Sequence, residues 1–209
     1  MIEIRPAYPQ DLDAYYRISL RTGHLGRDAG ALYEDPKLMG HIHSAPYLLF
    51  SRALCVSLLA EGQVAGFCVG TIDTVAFAEC LERSWWPSLR ASYPMPDITR
   101  SDRWTPDEKR IATLHRPKEV PRDIVDRYPA HVHMNLLPEC QGRGWGTRLL
   151  KKWLRMSRSM GVRAIHLGAN PGNDQAIGFW RSQGFEHIPV AGDQRTCWMA
   201  QEVSEDEHG

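Results

Sequence analysis

Between residues 131 and 169 the chain runs strand, glycine turn, helix, strand, and that order restricts the sheet it can build. His131 to Leu137 reads as a strand ended by Pro138. Gly144 to Met160 reads as an amphipathic helix with Leu149, Leu150, Trp153, Leu154 and Met160 along one side, and Gly161 fits its C-terminal cap. Arg163 to Ala169 is the next strand. A strand–helix–strand unit of this length implies a parallel pair with the helix crossing one face.

The flanks complete an α/β reading. Ile2 and Ile4 alternate as a short strand stopped by Pro6, and Asp11 is placed to cap a helix reaching about Arg21. Gly23, Gly26 and Gly30 mark a flexible segment. Ala53 to Ala60 and Val64 to Ile72 read as a β-hairpin around Glu61-Gly62-Gln63. Residues 74–130 are proline-rich and too apolar for a linker, so they read as an ordered insertion with short helical pieces such as Thr105 to Leu114. Asn173 to Gln183 is a second helix closed by Gly184, and Phe185 to Val190 with Thr196 to Gln201 form a last hairpin. One domain over residues 1–201 and a flexible tail over 202–209 follow.

Composition excludes several classes. The 209 residues are 43% hydrophobic with a formal net charge of zero, which disfavours disorder and a nucleic-acid surface. No apolar stretch approaches the roughly 20 residues that span a bilayer, and Met1 to Pro6 lack an apolar signal core. The five cysteines (Cys55, Cys68, Cys80, Cys140, Cys197) are scattered and never in CxxC spacing, which suits reduced thiols in the cytoplasm. His41-x-His43 and His131-x-His133 could be metal pairs, but no third ligand has diagnostic spacing, so no metal is expected. Oligomeric state is open.

The turn Gln141-x-x-Gly144-x-Gly146 carries the chemistry. Glycines admit a ligand close to the backbone, and a helix N-terminus offers unpaired N–H groups to phosphate oxygens. From Arg143 to Arg163 there are seven basic residues and no acid. A P-loop reading fails for want of Gly-Lys-Ser/Thr, and a Rossmann reading fails on spacing and on the missing acid in the next strand. A glycine turn before a solvated basic helix stays open as the bland alternative.

Gln141-x-x-Gly144-x-Gly146 resembles the acyl-CoA signature of the GNAT acetyltransferases. Asn173-x-x-Ala176-Ile177-x-Phe179-Trp180-x-x-x-Gly184-Phe185 resembles the second motif of that superfamily. Gly70 to Phe77, Trp85-Trp86-Pro87 and Tyr128-Pro129-Ala130-His131 further resemble standalone bacterial relatives of the acetyltransferase-like C-terminal domain of O-GlcNAcase. The animal domain is regarded as a pseudo-acetyltransferase with an eroded loop, whereas this chain keeps the loop. The resemblance implies a GNAT fold, a twisted mixed sheet with helices on both faces, in which the strand before the loop bulges and splays from its parallel neighbour. It implies acetyl-CoA as co-substrate and an amine as acceptor. Asn135, Leu136 and Leu137 would offer main-chain groups to the pantetheine and thioester, with the Leu136 amide as oxyanion donor. Gln141 and the N–H groups of Gly142, Arg143, Gly144, Trp145, Gly146 and Thr147 would form the pyrophosphate loop. Asn173 would bond the pantetheine arm, with Phe179 and Trp180 packing beside it.

Trp180 departs from the family pattern, which often has a tyrosine there as general acid; an indole N–H donates a hydrogen bond but releases no proton at neutral pH. A base is expected for the acceptor. His133 and Asp73 are the candidates, ahead of His131, against the readings of Asp73 as a helix cap and of the histidines as satisfied polar groups. Trp85 and Trp86 wall an acceptor pocket or merely anchor the insertion, and the pocket is favoured. Trp153 reads as core and Cys140 as structural. The expected reaction is direct acetyl transfer to an amine. The rivals are an inert acetyl-CoA-binding module and a protein-binding domain using the insertion.

Overall fold

The computed structural model describes residues 1–203. Seven strands form one mixed sheet: β1 (Ile2–Pro6), β2 (Cys55–Ala60), β3 (Gln63–Thr71), β4 (Ala130–Leu136), β5 (Ala164–Ala169), β6 (Glu186–Ile188) and β7 (Cys197–Glu202), in the order β1-β2-β3-β4-β5-β7-β6. The β2–β3 hairpin turns through Glu61 (φ 52) and Gly62 (φ 80), and the left-handed second position favours glycine. Among the described residues only β4 and β5 run parallel, as the crossover demands.

Helices cover both faces. On one, α1 (Leu12–Arg21) lays Tyr15 on Phe67 with ring centroids 4.5 Å apart. On the other, α8 (Trp145–Ser159) buries Trp153 over Gly70, where an added Cβ would lie 2.5 Å from the indole. Phe67 and Gly70 differ by an odd number of positions on one strand, so the two helices lie on opposite faces. The Trp153 indole donates to the Leu54 carbonyl at 2.9 Å, so the polar end of this core residue is satisfied. Between these helices in sequence come α2 (Leu38–His43), α3 (Ala45–Phe50), α4 (Thr74–Ser84), α5 (Trp86–Ser92), α6 (Pro106–His115) and α7 (Arg122–Arg127); α9 (Asp174–Ser182) follows β5.

The prolines of residues 74–130 exclude sheet, as expected, but they also start helices: Pro106 occupies the first turn of α6, behind a Thr105–Glu108 capping box. Leu38 of α2 joins Phe77, Leu81, Trp86, Leu89 and Leu114 in a second small core. Four expectations need correction. Residues 22–37 are turned rather than loose, with a His24–Arg27 bridge and a fully buried Ala29. Asp11 does not cap α1, because its carboxylate takes both Arg5 nitrogens at 2.8 Å and the Ser57 hydroxyl. β4 has no bulge against β3, since that register runs unbroken; the irregularity lies between Leu58 and Leu59. The tail begins later than Glu202, which ends β7, and Val203 is buried with its N–H on the Arg163 carbonyl. Residues 204–209 lie outside the described residues.

Candidate functional site

β4 and β5 share only two register pairs, Ala130–Ile165 and His131–His166, and then diverge. A cavity of about 1780 Å³ opens into this gap, lined by β4 from His131 to Leu136 and by β5 from His166 to Ala169. The Leu137 N–H donates to Ala65 O at 2.8 Å. Antiparallel alternation therefore turns the Asn135 main chain toward Phe67 and the Leu136 N–H toward the gap. The Leu136 carbonyl faces the same way and accepts from Gln141 Nε2 at 2.8 Å, so the signature glutamine fixes the strand end rather than reaching outward. Leu137 and the Asn135 backbone drop out as donors to a ligand in the gap: the Leu137 carbonyl also has a partner, the Cys140 N–H, and Asn135 is turned into the β3 ladder.

The loop supplies donors where the strand cannot. Gly142 (φ 69) and Gly144 (φ 75) take left-handed conformations, and the first helical bond of α8 runs from Arg148 N to Gly144 O. The N–H groups of Trp145, Gly146 and Thr147 therefore have no intrahelical acceptor, and Gly144 has no side chain to cap them. A Cβ on Gly146 would come within 3.2 Å of the Phe179 ring, so glycine is what lets α9 close on the loop. Gly142, Gly144, Gly146 and Thr147 line the cavity. The Arg143 and Trp145 side chains fall outside its wall; Arg148 sits over the Trp145 ring at 4.6 Å. Asn173 caps α9 through Oδ1, which accepts from Ala176 N at 3.1 Å, leaving its Nδ2 for the cavity it lines. Trp180 is buried edge-to-face on Phe179 and Phe185 and contributes to the wall.

The odd residues of β4 point to the α1 face and form the other end of the cavity floor. His131 is held at both nitrogens, by Tyr47 Oη at 2.7 Å and Thr74 Oγ at 2.8 Å, whichever tautomer is present. His133 is different: its Nε2 is shielded and has no hydrogen-bond partner. Burial pushes its pKa down to about 4, with Asn135 opposing, so the ring is neutral at pH 7. Asn135 donates Nδ2 to Thr22 Oγ at 2.6 Å and leaves Oδ1 unpartnered. His43 stacks on His133 with centroids 5.7 Å apart. Burial likewise holds its pKa well below the usual value. In sequence His43 stands out only as a possible metal ligand, because the six residues of α2 are too few to show a helical period.

Two of the candidate residues stand away from the cavity wall. Asp73 is exposed and caps α4, accepting from Ala76 N at 2.9 Å, and it does not line the cavity. Its carboxylate is thereby engaged at the helix end. Trp85 is also absent from the wall; its indole donates to the His41 carbonyl at 3.0 Å and anchors the insertion on α2. Trp86 does line the cavity. Cys140 is buried, and desolvation raises its thiol pKa, which suits a structural role.

A family model for the Acetyltransferase (GNAT) family matches residues 124–185, the segment that holds β4, the loop, α8, β5 and α9. The crystal structure of SsHAT is 36% identical, covers 98% of this chain and 99% of its own, and superposes with a TM-score of 0.88. The chain belongs to the GNAT acetyltransferase family. Its mixed sheet with helices on both faces is the GNAT fold. More distant structures share that fold at 14% identity. They are yncA from Salmonella typhimurium, solved with its cofactor acetyl-CoA (TM-score 0.57, 98% of this chain and 95% of that one), and the PaiA N-acetyltransferase from Thermoplasma acidophilum, solved with coenzyme A (0.58, 97% and 99%). Among the described residues, no helix of this GNAT chain is long and apolar enough to cross a membrane.

Proposed function

We propose that this chain transfers acetyl from acetyl-CoA directly to an amine held in the same cavity. The observation that carries the reading is the splayed β4–β5 gap. It joins one inward main-chain donor, Leu136 N–H, to a helix N-terminus with three unpartnered N–H groups. The CoA pyrophosphate takes the loop N–H groups of Gly142 to Thr147, and the dipole of the 15-residue α8 adds to their pull. The pantetheine arm runs down the gap past Asn173 Nδ2 and Phe179. The Leu136 N–H meets the oxygen that becomes anionic when the amine attacks.

The C–N bond forms first, giving a tetrahedral oxyanion; as its C=O bond re-forms, the C–S bond breaks and the thiolate leaves with the electron pair. A thiol of pKa about 8.5 departs without an acid, so Trp180 need not replace a tyrosine. The proton from nitrogen goes to His133, which is neutral and has a free Nε2. Nitrogen in the tetrahedral adduct is more acidic than the free amine, so a weak base suffices. We read residues 1–201 as one catalytic domain with 74–130 as its insertion, akin to standalone relatives of the O-GlcNAcase domain. Five unpaired cysteines support a cytoplasmic setting.

Trp180 favours one second reading, an inert acetyl-CoA-binding module. Calorimetry with acetyl-CoA and a thiol-release assay over an amine library decide between them. Tight binding with acceptor-dependent release is the expected result. Binding without release selects the inert module, and absence of binding removes both.

A further inference from the structure

The acceptor end of the cavity carries a charge that the transfer step does not use. Arg110, on α6, is half-buried and lines the cavity, while the other cations of its wall (Arg83, Arg116, Lys118, Arg122, Arg195) are exposed. Its Nε donates to Tyr33 Oη at 2.9 Å, which fixes the guanidinium plane. No carboxylate lies within ion-pair reach of it among the described residues, whereas Arg83, Lys118 and Arg122 each have one. Its two terminal nitrogens are left as a fork. The charge shares its cavity with the stacked histidines, His43 and His133.

A half-buried, unpaired guanidinium is costly unless a ligand pairs with it. The fork matches a planar two-oxygen anion better than a single donor could. Glu79, Glu82, Glu119 and Asp126 also line the cavity, and they disfavour a phosphate dianion relative to a monoanion. Ile42, Phe77, Leu81 and Trp86 add apolar surface to the same cavity.

Resting on the acetyltransferase reading above, we propose that the acceptor is an amine of the amino-acid class with an apolar side chain, whose carboxylate pairs with Arg110 while its amine reaches His133. Arg110 is thus the residue that determines acceptor specificity, selecting against decarboxylated and cationic amines.

The test uses a matched product pair, N-acetylphenylalanine and its neutral amide, titrated calorimetrically into the protein with and without coenzyme A. The carboxylate should bind at least about tenfold more tightly than the amide, as expected for charge-assisted hydrogen bonds. Arg110→Gln should erase the difference and Arg110→Lys should keep part of it. Equal or tighter binding of the amide, a preference that survives in Arg110→Gln, or no binding of either probe overturns the proposal. The comparison within the wild-type protein stands even where a variant is unstable. Failure of acetyl-CoA itself to bind, measured separately, would remove the acetyltransferase reading instead, because the probe preference is also read without coenzyme.

Discussion

Two His-x-His pairs, 90 positions apart in the chain but brought together in space, differ in what the fold does with each member. His41 has Tyr16 Oη on Nδ1 at 2.9 Å and Tyr93 Oη on Nε2 at 3.3 Å, and His131 is bonded by Tyr47 and Thr74. Their pair-mates, His43 and His133, stack on each other instead, and His133 Nε2 is left without a partner. The saturated pair joins the insertion to α2 and β4. The stacked pair forms the cavity floor. A buried polar atom without a partner costs about 1–3 kcal/mol, so the His133 and Asn135 orphans mark a place the fold leaves for something else to bind.

The largest expected effect breaks that comparison at its unsaturated end. His133→Phe should lower kcat by about 10²–10⁴-fold, the usual worth of a positioned base, while acetyl-CoA affinity and the melting temperature hold or the latter rises. Steady-state thiol release beside calorimetry reads both quantities. An unchanged kcat would reduce His133 to a piece of wall.

What the sequence could and could not show follows from the range of each signal. The β4–α8–β5 unit, the glycine turn and Asn173 to Phe185 are contiguous, and periodicity with turn chemistry places them. The orientation of Leu136 needed the β3 register, which lies about 70 positions away in the chain. His43 was missed because α2 and α3 have six residues each, too short for a clear period, although Leu38, Met39 and Ile42 were a hint. Trp85 and Trp86 are adjacent in sequence, yet one bonds α2 and the other faces the cavity. No one-dimensional pattern separates them.

Acid should loosen the same floor. Burial depresses His133 to about 4 and, with the neighbouring His166 and His133, His131 to about 3, both from an ordinary 6.5. Between those values the unfolded chain binds more protons than the folded one, so stability rises with pH there. Stability should be level above about pH 6.5 and fall as the pH drops toward 4, with roughly 3 kcal/mol traceable to His133 alone. Urea unfolding across this range checks it, and His133→Phe should flatten the slope. An equally steep slope in the variant would place the acid sensitivity elsewhere.

At the saturated end, His131→Phe keeps a ring among Tyr47, Phe77 and His166 but strands the hydroxyl of the half-buried Tyr47. It should cost about 1–3 kcal/mol in urea unfolding with kcat per folded molecule nearly unchanged. This is the inverse of the His133 result, and a His131 variant that folds normally but turns over slowly would exchange the two assignments.

The smallest effect concerns the residue that competed with His133 for the role of base. Asp73 sits one position before α4, with an extended backbone and a carboxylate on the Ala76 N–H. That geometry uses the acid as a helix cap, and Thr74, the next residue, reaches inward to His131 and the Pro129 carbonyl. Asp73→Ala should therefore cost about 1 kcal/mol of stability, and Asp73→Asn, which keeps a capping oxygen, should cost less. Neither should change kcat or its pH profile. A base would behave oppositely: asparagine would cap the helix and still abolish proton transfer. The Asn variant thus separates the two roles by itself, since a stable protein with a collapsed kcat would move the base from the strand to the helix cap.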